Sequence, residues 1–219
     1  MEFAVPFAAH SPHAASPLDV LAGLTLLAIA PFVLVMTTSF VRIVVVLSLV
    51  RSAIGASSLP PNAVITGLAL VLTFVIMTPT LDRISRDALD PYSHGRISQQ
   101  AMFARAFVPM RRFMLRQTHQ KDLALFSRIA REPQTAPDRT PPAVLLPAFV
   151  VGELRSAFAI GFALYLPFVA IDLAVASILM GLGMFMLSPP IVSLPCKLLL
   201  FVMVDGWALV CGGVVASFR

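Results

Sequence analysis

Apolar and polar positions along this chain are sorted into blocks, with no period-2 alternation of the kind a half-buried strand would show. Residues 18–50 form an apolar block of about 33 residues, interrupted by Pro31 and Arg42. As one helix that block would be roughly 50 Å long against a hydrocarbon core of about 30 Å, which predicts a kink at Pro31, a tilt, or projection beyond the lipid. Residues 51–61 bring Gly55, Ser57, Ser58 and the pair Pro60 and Pro61, which is turn chemistry. Residues 62–81 are then free of charge for about 20 positions, the length of one span. The pattern changes at Asp82. From there to Pro142 nearly every turn carries a charge, which predicts a water-facing insertion. Within it Pro91 and Gly95 mark a turn, residues 97–108 fit a short amphipathic helix, and Thr118 is placed to N-cap another helix with Asp122 in its first turn. From Val144 the chain is apolar almost to Phe218. Residues 145–186 would make about 63 Å of helix, with Pro167 dividing it. The pattern predicts an all-α, membrane-type protein of long kinked hairpins. Its parts are a leader over 1–17, a first hairpin over 18–81, a hydrophilic helical insertion over 82–142 and a second hairpin over 143–219.

The second hairpin turns at residues 181–195, GLGMFMLSPPIVSLP. Gly181 and Gly183 each cost a helix roughly 1 kcal/mol, and Pro189 and Pro190 cannot continue one. Irregular backbone at membrane depth is tolerated where protein covers it or where it borders a water-filled cavity. Met184, Phe185 and Met186 fill the break, and methionine is unbranched and adaptable. Spacing leaves two readings open: ordinary helix packing, or a compliant plug that closes a hole. Ahead of the turn, Ala170, Ala174, Ser177 and Gly181 recur at helical spacing, a small-residue stripe that admits another helix closely.

Ionisable residues in or at the edge of the apolar blocks include Arg42, Glu153, Arg155, Asp172, Lys197 and Asp205. Insertion of Asp, Lys or Arg at the centre of a span costs roughly 2.5–3.5 kcal/mol each, so such groups are paired, wetted or snorkelling. Glu153 and Arg155 are two apart and face different ways, while Lys197 and Asp205 lie about 12 Å apart along a helix axis. Partners are therefore expected on other helices or on other copies of the chain. Glu153, Arg155, Asp172, Lys197 and Asp205 are the candidates for ion pairs between subunits. A proton relay through Asp172 or Asp205 is the competing reading, and no histidine lies in the apolar blocks to assist it.

Composition narrows the classes. The chain has 219 residues, 58% hydrophobic and only 12% charged, and a mean hydropathy of +0.89, far more apolar than a soluble domain. Its net charge of +5 does not come with a basic, aromatic-interleaved nucleic-acid motif, so no nucleic-acid partner is expected. Cys196 and Cys211 lack metal-ligand spacing and read as small side chains in apolar surroundings. There is no Walker loop, GxSxG elbow or HExxH, so neither an enzyme nor a cofactor or metal is expected. No Lys or Arg precedes Arg42, so the positive region of a cleavable signal is missing and the first apolar segment is expected to stay.

Long ordered stretches carry a family resemblance: MTTSFVRIVVVLSLVRSAIG at 36–55, PPNAVITGLAL at 60–70, RRFMLRQT at 111–118, LLPAFVVGELRSAFAIGF at 145–162 and IDLAVASILMGLGMFMLSPPIVSLPCKLLLFVMVDGW at 171–207. From about Pro31 to Phe218 the chain resembles the FliP/SctR family, the inner-membrane core subunit of the flagellar or injectisome type III protein export apparatus. The resemblance implies a homo-oligomer of about five copies in a ring with Q/S-type and R/T-type export-gate subunits. Larger export-gate subunits would pass it unfolded protein substrates. It implies a multi-pass protein of the bacterial inner membrane whose complex projects toward the periplasm, and a constriction at 183–187. There the family usually has three consecutive methionines, and here the middle one is Phe185. The positive-inside rule would put 82–142 in the cytoplasm, whereas the resemblance puts it on the exoplasmic side. The missing signal leans toward the injectisome branch. The alternative from another class is a proton-coupled membrane transporter subunit using intramembrane Asp residues. A structural scaffold without a lumen is the third.

Overall fold

The computed structural model describes residues 17–218 except 57–58, 134–135 and 137–138. Apart from Pro17, which opens a helix, the expected leader lies outside the described residues. Among those described, every regular element is helical. They are α1 (Pro17–Thr37), α2 (Phe40–Ile54), α3 (Asn62–Ile84), α4 (Asp90–Ser93), α5 (Gln99–Gln117), α6 (Gln120–Ala130), α7 (Pro142–Gly181), α8 (Pro189–Met203) and α9 (Gly206–Ala216). The chain divides into two compact units, 1–34 and 35–219. In the first, α1 begins and carries Pro31 in its interior. All that follows concerns the second.

At its centre lies α2, FVRIVVVLSLVRSAI, apolar on nearly every side and therefore a helix that must be surrounded. Ile43, Val46, Leu47 and Val50 of α2 pack with Ile65 and Ala69 of α3, Ala157 and Phe168 of α7, Phe201 of α8, and Val210 and Val214 of α9. A second cluster joins Met77 of α3 with Phe113 and Met114 of α5 and with Leu145 and Phe149 of α7. The most extensive helix pairing is between α2 and α7. A β-carbon at Gly161 would stand 2.3 Å from Leu49 Cδ1 and 3.1 Å from Leu49 Cβ, so a side chain there would force Leu49 to shift.

Several breaks fall elsewhere than the pattern predicts. The first apolar block divides at Thr38 and Ser39, not at Pro31. Pro167 does not divide the third block: α7 runs unbroken for 40 residues with Pro147 and Pro167 inside it. A membrane-type helix accommodates proline when neighbouring groups take up the freed carbonyl. The composition change at Asp82 is not a structural boundary either, since α3 continues through a π-helical turn at Ser85–Leu89 into α4. Pro91 accordingly sits in a helix, and the turn comes at Gly95, where φ is +66°. The amphipathic helix is longer than 97–108, running as α5 to Gln117 with Ser98 as its N-cap. Thr118 ends α5, its hydroxyl donating to Met114 O at 2.7 Å, and His119 is the N-cap of α6. An unexpected break at Val204 and Asp205 bends α8 from α9 by 64°.

The described residues hold two helical stretches long and apolar enough to cross a membrane, 62–93 and 142–181, or up to four if each of two bent pairs is one span. Of the most apolar 18-residue window of α7, 11% is buried against the rest of the chain. With that composition the protein is a membrane protein, its long helices covered by something other than itself.

Candidate functional site

The tip of the α7–α8 hairpin is built by a helix ending and a helix beginning. Gly183 adopts φ +74°, the left-handed conformation that costs glycine nothing. Its N–H donates to Met180 O at 3.0 Å, and the N–H of Met184 donates to Leu179 O at 2.9 Å. These are the two bonds of a Schellman ending, which satisfies the last carbonyls of α7. Gly181 is still helical. Seven residues after Gly181, Ser188 is extended and Pro189 and Pro190 occupy the first turn of α8, where the missing N–H has no helical partner to lose. Between them the apolar side chains stand in the open: Met184 is 45% exposed, Phe185 80% and Met186 101%. Among the described residues no other segment carries bulky apolar side chains so fully exposed on so few residues, and none of the three packs into the described cores.

Below the tip one carboxylate bridges the hairpin's arms. Asp172 of α7 accepts from Lys197 Nζ of α8 at 2.6 Å and also from Ser193 Oγ. Ser193 and Lys197 are four apart and so share a face of α8, and both are buried. This ties the two helices together some two turns behind the exposed loop.

Farther along α7, Glu153 is fully buried and faces Arg42 of α2. Arg42 Nε donates to Glu153 Oε2 at 3.0 Å and Nη2 to Oε1. Nη2 also reaches Gln117 Oε1 at 3.0 Å, and Nη1 donates to Ser217 O at 3.0 Å and Ser217 Oγ at 3.1 Å. All five guanidinium hydrogens are thereby used. The ring of Phe218 lies 3.9 Å from the guanidinium carbon. A single cation thus joins α2, α5, α7 and the end of α9.

Arg155, two residues past Glu153, points the other way. Its two terminal nitrogens donate at 2.7 Å each to the two oxygens of Asp122, a fork-on-fork pair that docks α6 on α7. The Arg155 hydrogen bond holds the Asp122 carboxyl below its usual range, against an opposing contribution from burial.

Four of the five expected pairing residues therefore find a counter-ion inside the chain, on another helix, and need no second copy to be neutralised. The fifth, Asp205, forms no ion pair among the described residues; it is exposed at the α8–α9 break with φ +48°. Asp122 completes a pair of which the sequence pointed to only one member, while Arg42, singled out in its apolar block but not among the pairing candidates, is the partner of Glu153. For Arg42 the signal was available, a lone cation in an apolar block opposite a lone acid in another. For Asp122 it was not, because a charged segment reads as solvated until α6 folds back onto α7. Nothing in this set makes a nucleophile–base or metal constellation; its chemistry is positional.

The profile described as the FliP family matches residues 23–214. The chain is 52% identical over 196 residues to a protein named flagellar biosynthetic protein FliP from Pectobacterium carotovorum subsp. carotovorum, covering 89% of this chain and 76% of that one. A protein of the same name from Bacillus subtilis (strain 168) is 44% identical over 220 residues, 99% of each chain. Another, from Caulobacter vibrioides, is 50% identical over 198 residues, covering 90% and 74%.

Proposed function

The chain belongs to the FliP family, and on that premise we propose that it is a channel-forming subunit of the type III protein export apparatus, with Met184, Phe185 and Met186 as the constriction. Relatives with flagellar names favour the flagellar branch over the injectisome branch. In this reading several copies join small partner subunits in a ring in the bacterial inner membrane, with residues 82–142 on the periplasmic side. Unfolded chains pass through the middle.

The observation that carries the reading is the exposed tip. A Schellman ending and two prolines hold three large apolar side chains away from the chain's own cores. Isolated, such a loop is an uncovered apolar surface; repeated around an axis, it closes an opening with flexible thioethers and one aromatic ring. Phe185 makes the seal stiffer than three methionines would. The Asp172–Lys197 bridge keeps the arms fixed while the tip yields. Because Asp172 is held by Lys197 and Ser193, it lends no support to the proton-coupled alternative.

Replacing residues 184–186 by alanine in cells carrying the assembled complex is expected to raise small-ion leak with assembly unchanged. Leak at the wild-type level in a normally assembled complex would reduce the cluster to helix packing.

A further inference from the structure

Two adjoining depressions in the second unit share a wall and differ in character. One, of about 300 Å³, is a groove between α3, α5 and α9 whose border is formed mainly by apolar residues, Val75, Phe113 and Phe218 among them, with Thr80 and Arg116 adding polar surface. The other, of about 210 Å³, is bounded by Arg83 and Arg112. Arg116 borders both, so the apolar groove adjoins a depression bordered by three arginines. All three arginines are exposed and form no ion pair among the described residues, nor do Asp82, which precedes Arg83, and Asp87, four residues after it. Like charges around one small depression repel unless an anion lies among them, and guanidinium forks match phosphate oxygens. Arg112 and Arg116 are four apart on one face of α5. Arg83 follows by two residues the end of the charge-free run of α3, where a span leaves hydrocarbon and meets headgroups. One side of the groove is held in place, since Phe218 stacks on Phe113 at 6.3 Å and lies against Arg42.

We propose that this groove holds one anionic phospholipid, its phosphate among Arg83, Arg112 and Arg116 and an acyl chain along Val75, Phe113 and Phe218. The charge complementarity selects the headgroup: a zwitterionic lipid would bring its own cation into a place already crowded with three. The apolar groove selects a lipid over a bare anion. Nothing here depends on the chain lining a channel, so the two readings stand or fall apart.

The test uses the full chain purified in detergent and offered equal amounts of phosphatidylglycerol and phosphatidylcholine, with retained lipid counted by native mass measurement. One phosphatidylglycerol per chain is expected, in preference to phosphatidylcholine. Arg112→Gln with Arg116→Gln is expected to cut that preference roughly tenfold. Arg105→Gln, an exposed arginine elsewhere on α5, leaves it unchanged. Val75→Asp lowers retention of the lipid with the arginines intact. The altered side chains are exposed, and unchanged fluorescence of Trp207 on heating verifies the fold. Equal retention of the two lipids overturns the proposal, as does a preference untouched by the double substitution. Displacement by inorganic phosphate as effective as by phosphatidylglycerol itself reduces the groove to a bare anion site. A double substitution that changes the oligomer but not the bound lipid assigns the arginines to acids of another copy.

Discussion

Arg42 and Glu153 together remove two charges from solvent almost completely, at 3% and 0% exposure. Such a pair is weak evidence of net stability, but breaking it is costly, because the survivor is left buried without its counter-ion. Arg42→Leu or Glu153→Leu alone is expected to destabilise the protein by about 3–5 kcal/mol, and the double substitution by less than the sum. Thermal unfolding followed by the single tryptophan, Trp207, measures the cycle; strict additivity would mean the two side chains do not interact. The Asp122–Arg155 fork makes a different expectation, about pH. Asp122 titrates lower folded than unfolded, so its contribution is complete above the unfolded value of about 3.9 and is lost as pH falls through the depressed folded value. Protection of α6 against hydrogen exchange, relative to the intrinsic rate at each pH, is therefore expected to fall below about pH 4 in the wild type. Asp122→Asn should exchange faster already at pH 7 and show less further change on acidification. At this scale the sequence announced that Glu153, Arg155, Asp172 and Lys197 require partners, because apolar neighbours make lone charges expensive. Which partner each finds depends on how helices distant in sequence meet, and no local pattern encodes that.

Helices are the legible elements, since long apolar runs without period-2 alternation have no other way to satisfy their backbone among apolar neighbours. Their ends were legible only where chemistry is local: Gly183 and the prolines at 189 and 190 mark the tip turn, and Gly55 ends α2 with φ +86°. Pro167 misled, because a proline in a long packed helix loses one bond and keeps the rest. The breaks at Ser39 and Asp205 carry no proline or glycine before the break itself, and Asp205 takes a left-handed conformation, φ +48°. Close packing of α2 on α7 supplies the test at this scale. Gly161→Ala is expected to cost about 1–3 kcal/mol, since the new methyl displaces Leu49 where α7 crosses α2. Pairing it with Leu49→Ala should recover part of the loss; a loss that persists in full would place the strain in the helix backbone.

For the molecule as a whole, exposure speaks more plainly than burial. Ala170, Ala174, Ser177 and Gly181 all lie exposed along α7, as do Ile178, Leu182 and the tip residues. A small-residue stripe beside large apolar side chains is a surface prepared for another helix. The purified protein is expected to run as several chains together by native mass measurement. A stable lone monomer with Met184, Phe185 and Met186 against lipid tails would remove the basis for a ring. The hairpin plan and the greasy character were readable from composition. The tertiary role of α6 was not, because its docking rests on one buried acid in an otherwise solvated segment.

The Arg42 junction also has a history in time. Glu153 is made 111 residues after Arg42, and Ser217 175 residues after it. At about 5–20 residues per second, the arginine waits roughly 6–22 s of synthesis for its acid. Throughout that interval α2 must keep a bare cation in water or at the headgroups, so the nascent helix cannot settle early at its final depth. Only when α7 has emerged can the oldest part of the second unit close, which makes its interior the last region of the newborn protein to become dry.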